Sequence, residues 1–305
     1  MASGDQPASK VEHRTTARRA DLVSVIIPAF NAAQTIAQQL DALVDQECVS
    51  TFEVIVADNG STDDTVKVAE TFADRLNIRV VDASAIRGAG PARNVGVTAS
   101  RGELLVFADA DDIAGTDWLH HLVTTATAAG CDFAAGPLDL EKLNSAEVLA
   151  WRHRSPMDRL PDFLHFLPYA QGGNFAIWRD VFQSLGGFGA DLSDDVGLSW
   201  RAQLAGYVIV FSPLAVMHCR RRGSLRGFGR QQLERGEANC VIYKQFRENG
   251  LRRPSQLKAI RQIAKCLVQI PFVIVQPRRR GVWVGEIMYR IGRIRGSIRY
   301  RVLFL

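Results

Sequence analysis

The stretch ELLVFADADD, residues 103–112, places a short apolar run directly before a cluster of aspartates. Branched and aromatic residues dominate the run, which predicts a buried β-strand. In open α/β sheets, ligands bind in the crevice beyond the carboxyl ends of the strands. Carboxylate oxygens suit Mg²⁺ or Mn²⁺, which substrate phosphates help to hold, so Asp109 and Asp111 are candidate metal ligands. The alternative is that Asp112 is the N-cap of a following helix.

Apolar runs and helical spacings alternate in the sequence on both sides of this stretch. Strands are predicted at residues 22–27 (closed by Pro28), 52–57, 78–81, 103–108, 132–136 and 207–211. Helices are predicted at residues 32–43, 64–72, 92–99, 147–154 and 230–246, with a turn at 88–91. Short connections between alternating strands and helices favour right-handed β-α-β units and a parallel sheet. The predicted fold class is therefore α/β.

Length and composition are those of an ordinary globular protein, with 305 residues, 47% hydrophobic and 23% charged. This length allows one large α/β domain with an appendage, or two small domains. The five cysteines form no C-x-x-C pair, so they indicate neither a zinc site nor a disulfide framework and favour a reducing cytosol. Residues 1–20 are polar and basic without an apolar core, which predicts a disordered tail instead of a signal peptide.

Charge divides the chain into two unequal parts. Between His218 and Leu305 there are 21 Lys/Arg and 4 Asp/Glu, a net charge of +17, whereas the remainder has a net charge of −12. Such asymmetry points to an anionic partner, either a nucleic acid or a membrane surface.

The C-terminal sequence favours the membrane surface. The apolar run at 267–275 has nine residues, which is too few to span a bilayer. Three consecutive arginines at 278–280 follow it, and residues 282–299 then interleave Trp, Ile and Arg. A basic amphipathic segment of this kind is typical of a helix lying on a membrane. The alternative is a helical appendage that packs on the rest of the protein or on another subunit.

Two common nucleotide-binding motifs are absent from the sequence. The residues after the first predicted strand, PAFNA at 28–32, contain no glycine, and the G-x-G at 88–90 lacks the third glycine of G-x-G-x-x-G because Arg93 replaces it. No G-x-x-x-x-G-K-[ST] sequence occurs either. Ordinary dinucleotide-dehydrogenase and P-loop interpretations are therefore excluded.

Polar or aromatic residues nevertheless follow each of the first four predicted strands. They are Phe30 and Asn31, Asp58 and Asn59, Arg87 or Arg93, and Asp109 with Asp111. An aromatic face suits a base, a carboxylate suits base or ribose, and an arginine with a metal neutralises a diphosphate. Turn chemistry alone would explain the Asp58-Asn59-Gly60 sequence. The complementary series at successive strand ends predicts a nucleotide-diphosphate site.

The ordered motifs resemble those of the family 2 inverting glycosyltransferases, which have the GT-A fold. The matching stretches are SVIIPAFN (24–31), EVIVADNGSTD (53–63), GPARNVG (90–96), FADADD (107–112), GGNFAI (172–177), GGF (186–188) and DDVGLSWR (194–201). The series is more specific than any of its members. The resemblance implies a Rossmann-like mixed sheet in a catalytic domain at 21–222, with a nucleotide-sugar-binding half at 21–115 and an acceptor half at 116–222. A basic helical region at 223–305 would follow.

The resemblance also assigns roles to individual residues. The nucleotide sugar would be held by Pro28, Phe30, Asn31, Asp58, Asn59, Arg93 and Asp109, and the metal by Asp111, Asp109 and His218. Asp195 occupies the position of the catalytic base, with Asp194 beside it where the family usually has Glu. The acceptor would contact Gly173, Asn174 and Trp200. Gly197 stands where many members have a second Asp, and both His218 and Trp200 also admit purely structural roles.

These roles agree on one chemistry. A carboxylate removes the proton of the acceptor hydroxyl, and Mg²⁺ or Mn²⁺ neutralises the departing diphosphate. An N-cap role for the pair at 194–195 would need only one of the two aspartates. The expected protein is a cytoplasmic glycosyltransferase, peripheral on the inner face of the cell membrane. It would transfer a sugar from a nucleotide-diphosphate sugar to a glycan or lipid-linked saccharide.

Two alternative functions remain open at this point. A sugar-phosphate nucleotidyltransferase would normally have a glycine-rich basic loop after the first strand, and the sequence lacks it. A nucleic-acid-binding protein would use the basic C-terminal region. The acidic remainder of the chain would repel a phosphate backbone, however, and no nucleic-acid-binding module is recognised, so no nucleic-acid partner is expected.

Overall fold

The computed structural model describes residues 16–151, 154–189, 194–269 and 280–305. Its strands are β1 (Leu22–Ala29), β2 (Thr51–Asp58), β3 (Ile78–Asp82), β4 (Leu104–Ala108), β5 (Ile113–Ala114), β6 (Phe133–Ala135), β7 (Leu138–Asp139), β8 (Asp162–Phe163), β9 (Leu167–Pro168), β10 (Asn174–Trp178), β11 (Ile209–Phe211) and β12 (Met217–His218). Its helices are α1 (Ile36–Val44), α2 (Thr65–Glu70), α3 (Ala89–Ala99), α4 (Trp118–Thr127), α5 (Ala146–Ala150), α6 (Arg179–Ser184), α7 (Asp194–Leu204), α8 (Leu225–Phe246), α9 (Gln256–Val268) and α10 (Arg280–Tyr300).

A seven-stranded sheet in the order β11-β6-β10-β4-β1-β2-β3 forms the centre of the molecule. Strands β1 to β4 pair in parallel, as the alternation of strands and helices predicts. Strand β10 lies antiparallel between β4 and β6, so the sheet is mixed. The predicted α/β class with a Rossmann-like mixed sheet is therefore confirmed. A second sheet, β5-β12-β7, lies beyond the end of β4 and brings the chain after residue 211 back to the aspartates.

Two local differences from the predicted elements have physical reasons. Pro28 lies within β1, opposite Ala57, instead of ending the strand. The pairing of β1 with β4 stops at Ile26, so the position of Pro28 needs no N–H on that side. Helix α3 begins at Ala89 and includes the predicted turn. Pro91 is tolerated there because the first-turn N–H groups of a helix have no partner within the helix.

The N-terminal prediction is wrong for its last residues. Residues 1–15 lie outside the described part, but Arg18 is packed against the domain. Its backbone N–H donates to the Thr127 carbonyl, and its guanidinium lies 3.7 Å from the centre of the Trp178 ring and 3.2 Å from Asp180. Ala20 is buried. The segment at 16–20 is therefore part of the fold and not a disordered tail.

The C-terminal helices α8 and α10 pack closely against each other. An added Cβ on Gly236 would collide with the Tyr289 carbonyl, and one on Gly292 with the Leu233 carbonyl. Arg290 and Arg293 of α10 are buried, so the arginines of this region are not all on its surface. For α8 and α10, the structure therefore shows the alternative interpretation, a helical appendage that packs on protein.

Helix α8 also packs on α7. Phe246 meets the Trp200 ring of α7 edge-on at 5.2 Å between ring centres. The predicted boundary at 222/223 thus does not separate two packing units. Most of the apolar run at 267–275, together with Arg278 and Arg279, lies outside the described residues. In the described ranges, none of the helices is both long enough and apolar enough to cross a membrane.

Candidate functional site

Three carboxylates converge in the loop between β4 and β5. Asp109, Asp111 and Asp112 each offer an oxygen, and these oxygens all lie within 4.8 Å of one another. The loop closes on itself because the Asp112 N–H donates to the Asp109 carbonyl. A single guanidinium, that of Arg93, pairs with Asp109 at 2.5 Å. Arg220 and Arg221 act on Asp111 without pairing with its carboxylate, and a hard divalent cation fits the donor set of the three aspartates.

Two carboxyl groups of the cluster have raised pKa values. Asp111 reaches solvent at the mouth of the cleft, yet the surrounding walls dehydrate its carboxyl group and, together with the charge of Asp109, raise its pKa to about 6. Burial raises the pKa of Asp112 well above its usual range, and the charges of Asp109 and Asp111 add to the shift. A bound cation would favour the ionised forms of both groups.

Asp112 is a member of the cluster and not a helix cap. Helix α4 begins at Trp118, and the intervening Ile113 lies in β5. The Asp112 side chain is buried and accepts a hydrogen bond of 2.8 Å from the backbone N–H of Arg220. The alternative interpretation of Asp112 is therefore wrong. This aspartate ties the loop to the segment that follows β12.

A cavity of about 960 Å³ opens at the carboxyl ends of β1, β2 and β4. Phe30 is 48% exposed on its wall, and the Arg87 guanidinium lies 5.5 Å from the centre of the Phe30 ring. The predicted residues that line this cavity are Pro28, Phe30, Asn31, Asn59, Arg93, Asp109 and Asp111. The structure thus brings together an exposed aromatic face and the carboxylate cluster in one space.

Asp58 and Asn59 make hydrogen bonds to nearby backbone groups. The Asp58 carboxylate accepts hydrogen bonds from the backbone N–H groups of Gly60 and Ser61, and Asp58 does not line the cavity. The Asn59 amide donates to the carbonyls of Ala83 and Ile86, and its oxygen accepts from the Gly88 N–H.

The hydrogen bonds of the Asn59 side chain fix the segment between β3 and α3, which carries Arg87. Direct contact of Asp58 or Asn59 with a nucleotide stays a prediction.

Three consecutive arginines that the charge count placed in the basic tail instead line the cavity. They are Arg220, Arg221 and Arg222. The Arg220 guanidinium donates to the Asp111 carbonyl at 3.1 Å and to Gln38 at 2.7 Å. The available signal was that these arginines follow the last predicted strand, 207–211, just as the other polar residues of the site follow their strands.

A second cavity, of about 350 Å³, adjoins the first and shares Arg93 and Asp109 with it. Asp195 lies on its wall. The side chain is half-buried, and its carboxylate accepts hydrogen bonds from the N–H groups of Gly172, at 3.1 Å, and Val196, at 2.9 Å. Burial raises the pKa of Asp195. The bond to Gly172 lies outside α7, so helix capping alone does not account for this side chain.

Asp194 connects two helix starts. One oxygen accepts a hydrogen bond of 2.9 Å from the Gly189 N–H, and the other is buried without a hydrogen-bond partner. This second oxygen lies over Gly90 of α3, where an added Cβ would collide with it. Burial raises the pKa of Asp194 to about 7. Asp194 thus bonds the beginning of α7 to Gly189 and packs over the beginning of α3.

Gly172 and Gly173 line the second cavity close to the carboxylates. A Cβ on Gly172 would lie 3.4 Å from the Arg93 guanidinium and 3.5 Å from Asp195 Oδ2. A Cβ on Gly173 would lie 2.8 Å from Asp109 Oδ2 and 3.3 Å from Asp112 Oδ2. The backbone here passes directly over the carboxylates, and Arg93 lies between Asp109 and Asp195.

Replacing Gly173 by alanine is expected to weaken Mn²⁺ binding about tenfold, since overpacking of this order typically costs 1–3 kcal/mol. The added methyl group must displace Asp109. Gly172→Ala is the matched control, because its Cβ meets its neighbours at ordinary contact distances. Mn²⁺-dependent thermal shifts measure both variants. Equal Mn²⁺ affinity in Gly173→Ala and the wild type would contradict the assignment of Asp109 to the metal site.

Asn174 does not face either cavity. It is fully buried, its oxygen accepts from the Trp118 indole N–H, and its amide group donates to the carbonyls of Pro137 and Ala215. Every hydrogen-bonding direction of this amide lies within the protein. The prediction that Asn174 contacts the acceptor is therefore wrong. Gly173, which precedes it, does line the second cavity.

Trp200 is a core residue. It is fully buried among aromatic rings, including Phe166 and Phe246, and its indole N–H donates to the Leu167 carbonyl at 2.9 Å. The prediction that Trp200 contacts the acceptor is wrong, because no face of the ring is exposed. The structural role is the one the molecule shows.

His218 pairs with Ile113, the residue after the aspartate cluster, but its side chain is bonded elsewhere. Its Nδ1 is 2.7 Å from an oxygen of Asp139, on the neighbouring strand β7. Among the described residues, the group of converging metal-type ligands consists of the aspartates alone. A role of His218 as a metal ligand stays a prediction.

Comparisons with known proteins give a consistent result. A family model described as glycosyl transferase family 2 matches residues 24–186. Glycosyltransferase AglE of Haloferax volcanii is 31% identical over 196 residues, which is 62% of this chain and 64% of that protein. Succinoglycan biosynthesis protein ExoO of Rhizobium meliloti is 30% identical over 166 residues, 53% of this chain and 47% of that protein. The chain thus matches about half to two thirds of the length of these relatives.

Solved structures resemble this one over nearly its whole length. The mannosyltransferase PcManGT from Pyrobaculum calidifontis, in complex with GDP-Man and Mn²⁺, has a TM-score of 0.64 at 19% identity, covering 95% of this chain and 90% of that one. S. aureus TarS 1–349 in complex with UDP-GlcNAc has a TM-score of 0.55 at 18% identity, covering 93% of each chain. At such identities the likeness concerns the fold.

Proposed function

Because the chain belongs to glycosyl transferase family 2, whose model matches more than half of it, we propose that it is an inverting glycosyltransferase. The fold is GT-A. The proposed donor is a nucleotide-diphosphate sugar, and the proposed acceptor is a hydroxyl group of a glycan or lipid-linked saccharide. The observation that carries the proposal is the continuity of the two cavities, which places the carboxylate cluster, Arg93 and Asp195 side by side.

The larger cavity is the proposed nucleotide site. The exposed face of Phe30, with Arg87 beside it, suits a base, and the arginines after β12 suit phosphates. PcManGT with GDP-Man and TarS with UDP-GlcNAc support a nucleotide sugar as the donor. The larger cavity is lined by the ends of parallel strands, where ligands bind in open α/β sheets.

The carboxylate cluster is the proposed metal site. Asp109, Asp111 and Asp112 would hold Mg²⁺ or Mn²⁺, with His218 as a further candidate. When bound, the cation neutralises the charge that develops on the leaving diphosphate. Mn²⁺ in the PcManGT complex supports the use of a divalent cation. Arg93 pairs with Asp109 and lines both cavities, so its charge is available where a diphosphate would leave.

Asp195 is the proposed general base. The acceptor oxygen forms a bond to the anomeric carbon while the bond from that carbon to the diphosphate oxygen breaks on the opposite face. The hydroxyl proton passes to Asp195, and the nucleoside diphosphate leaves. Burial raises the pKa of Asp195, which makes its carboxylate a stronger base. Asp194 positions this end of α7 through Gly189 and Gly90.

The nucleotide specificity tests the proposal. Thermal unfolding of the protein is measured with UDP-, GDP- and dTDP-sugars, in Mn²⁺ and in excess chelator. One nucleotide class should raise the unfolding temperature in Mn²⁺ only, since ligand at 100 times its Kd stabilises by about 2.7 kcal/mol. If the donor raises the unfolding temperature equally in chelator, donor binding does not need a metal. If no donor raises the unfolding temperature, the proposed function is contradicted.

We also propose that the protein attaches to the cytoplasmic face of the membrane. Helices α9 and α10 leave large apolar side chains exposed, among them Leu257, Ile260 and Ile298. Arg261 and Lys265 lie on the same helix as Ile260. Apolar side chains between basic ones suit an anionic leaflet, where each Lys or Arg contributes about 1 kcal/mol.

Ile260→Asp is expected to lower vesicle binding about tenfold, because one buried aliphatic side chain is lost from the lipid surface. Binding is measured by sedimentation with vesicles of equal parts phosphatidylglycerol and phosphatidylcholine in low salt. Val49→Asp is the control, since Val49 is also an exposed aliphatic side chain but lies far from the basic C-terminal helices in the sequence. Deleting α10 is a poor substitute, because α8 packs against it. Wild-type protein that ignores these vesicles would contradict membrane attachment.

A further inference from the structure

Two guanidinium groups line the second cavity, and one of them, Arg221, also borders the larger cavity. Arg221 comes from the segment after β12, and Arg235 comes from α8. Within the part of the chain that the structure describes, neither side chain makes a hydrogen bond or an ion pair. Other arginines nearby do have partners. Arg93 pairs with Asp109, and Arg230 of the same helix pairs with Glu234.

Both groups are held in place by well-packed elements. The backbone N–H of Arg221 donates to Asn144 at 2.8 Å. Helix α8 is fixed to α7 through the contact of Phe246 with Trp200, and α7 carries Asp195 at its start. The cavity therefore places Arg221, Arg235 and the proposed base on its walls together. The charge of Arg235 acts on Asp195 and that of Arg221 acts on Asp111, but among the described residues the N–H groups of both side chains are left for a ligand.

We propose that the acceptor carries a phosphate group, and that Arg221 and Arg235 bind this phosphate beside Asp195. The inference rests on the proposed function, which makes the second cavity the acceptor site. A phosphate monoester has about −1.5 to −2 charges at neutral pH and accepts several hydrogen bonds, which two guanidinium groups match. Arg235 lies outside residues 24–186, so the family model does not include this residue.

The shared chemistry has two sources, a prenyl phosphate of a lipid carrier and a phosphorylated sugar. The probes are therefore geranyl phosphate with geraniol as its uncharged counterpart, and glucose 6-phosphate with glucose. Each is titrated calorimetrically into protein saturated with Mn²⁺ and the nucleoside diphosphate found in the donor screen. Saturation keeps the probes out of the larger cavity, and the nucleotide titration reports separately on the proposed function.

At least one phosphate probe should bind ten times more tightly than its uncharged counterpart. Arg235→Gln and Arg221→Gln should each weaken that binding about tenfold, since charge-assisted hydrogen bonds are lost. Arg235→Gln should keep the nucleotide affinity of the wild type. Arg230→Gln, the control on the same helix, should bind the probe as the wild type does. The pair of probes that responds identifies the source of the phosphate.

Several results would overturn the inference. If charged and uncharged probes bind equally, or if neither phosphate binds, the acceptor does not carry a phosphate group. If Arg235→Gln binds the phosphate probe as tightly as the wild type, Arg235 does not bind the phosphate. Loss of nucleotide affinity in Arg235→Gln would place this arginine in the donor site instead. Failure of the nucleotide itself to bind contradicts the proposed function and therefore also the inference that rests on it.

Discussion

Asp195→Asn is expected to lower turnover by at least about 10²-fold while leaving donor affinity close to that of the wild type. The amide has the shape of the carboxylate, and its single oxygen keeps one of the two backbone hydrogen bonds, from Gly172 or from Val196, so the fold is kept at a small loss of stability. It cannot accept the proton of the acceptor hydroxyl. Steady-state kinetics and donor titration on the same preparation separate the two effects.

The pH profile gives this prediction a second readout. Burial raises the pKa of Asp195, so the wild-type kcat/KM should fall as the pH is lowered through a value above that of an ordinary aspartate. The residual activity of Asp195→Asn should lack this acidic limb, because the titrating base is gone.

Asp194→Asn is the matched comparison for the base assignment. The larger loss must belong to Asp195→Asn. A variant that loses donor affinity and keeps turnover would place Asp195 in the nucleotide site. If Asp194→Asn proves the more damaging change, the roles of the two aspartates are exchanged.

Asp111→Asn should abolish most metal-dependent donor binding and, at the same time, raise the unfolding temperature of the metal-free protein. Burial and Asp109 raise the pKa of Asp111 to about 6, above its ordinary value of 3.8. A group whose pKa is raised by folding favours the folded state at low pH, and this contribution is lost as the pH rises through the folded-state value. At neutral pH the ionised side chain therefore destabilises the metal-free protein.

Thermal unfolding in chelator and in Mn²⁺ with donor measures both effects. Asp74→Asn is the control, because Asp74 is exposed and remote from the cluster. It should change neither the metal-free stability nor the response to Mn²⁺. Full donor binding by Asp111→Asn would remove this carboxylate from the metal site. A lower unfolding temperature in chelator would show that the cluster does not hold uncompensated repulsion.

The first half of the fold could be predicted from the sequence because its signals are local. Each of β1 to β4 is a short apolar run that ends in polar residues, and parallel pairing aligns these ends at one edge. The position of β10 was not predictable in this way. Its antiparallel pairing with β4 joins residues far apart in the chain, and no local pattern encodes it.

The site residues that were mispredicted share one cause. Sequence patterns report polarity and aromatic character, but burial depends on partners that are distant in the chain. Asn174 is held by residues 118, 137 and 215. Asp112 is held by a backbone N–H group 108 positions away. Trp200 is enclosed by rings from separate elements, including α8.

The C-terminal region was misjudged for a different reason. Counting its charges treated every arginine as a surface group, whereas Arg293 lies 4.3 Å from the centre of the Phe304 ring and is buried. The overlooked signal was the recurrence of glycine seven residues apart, at 229 and 236 in α8 and at 285 and 292 in α10. Small residues at helical spacing allow two helix backbones to approach closely.

Anomalous scattering from Mn²⁺ tests the central claim most directly. Crystals are grown with Mn²⁺ and the nucleoside diphosphate selected by the donor screen. The account predicts an anomalous peak coordinated by Asp111 and by the diphosphate, at the cluster of Asp109, Asp111 and Asp112, with the base against Phe30. A diphosphate bound elsewhere, or bound in the cavity with no Mn²⁺ at the aspartates, would contradict it.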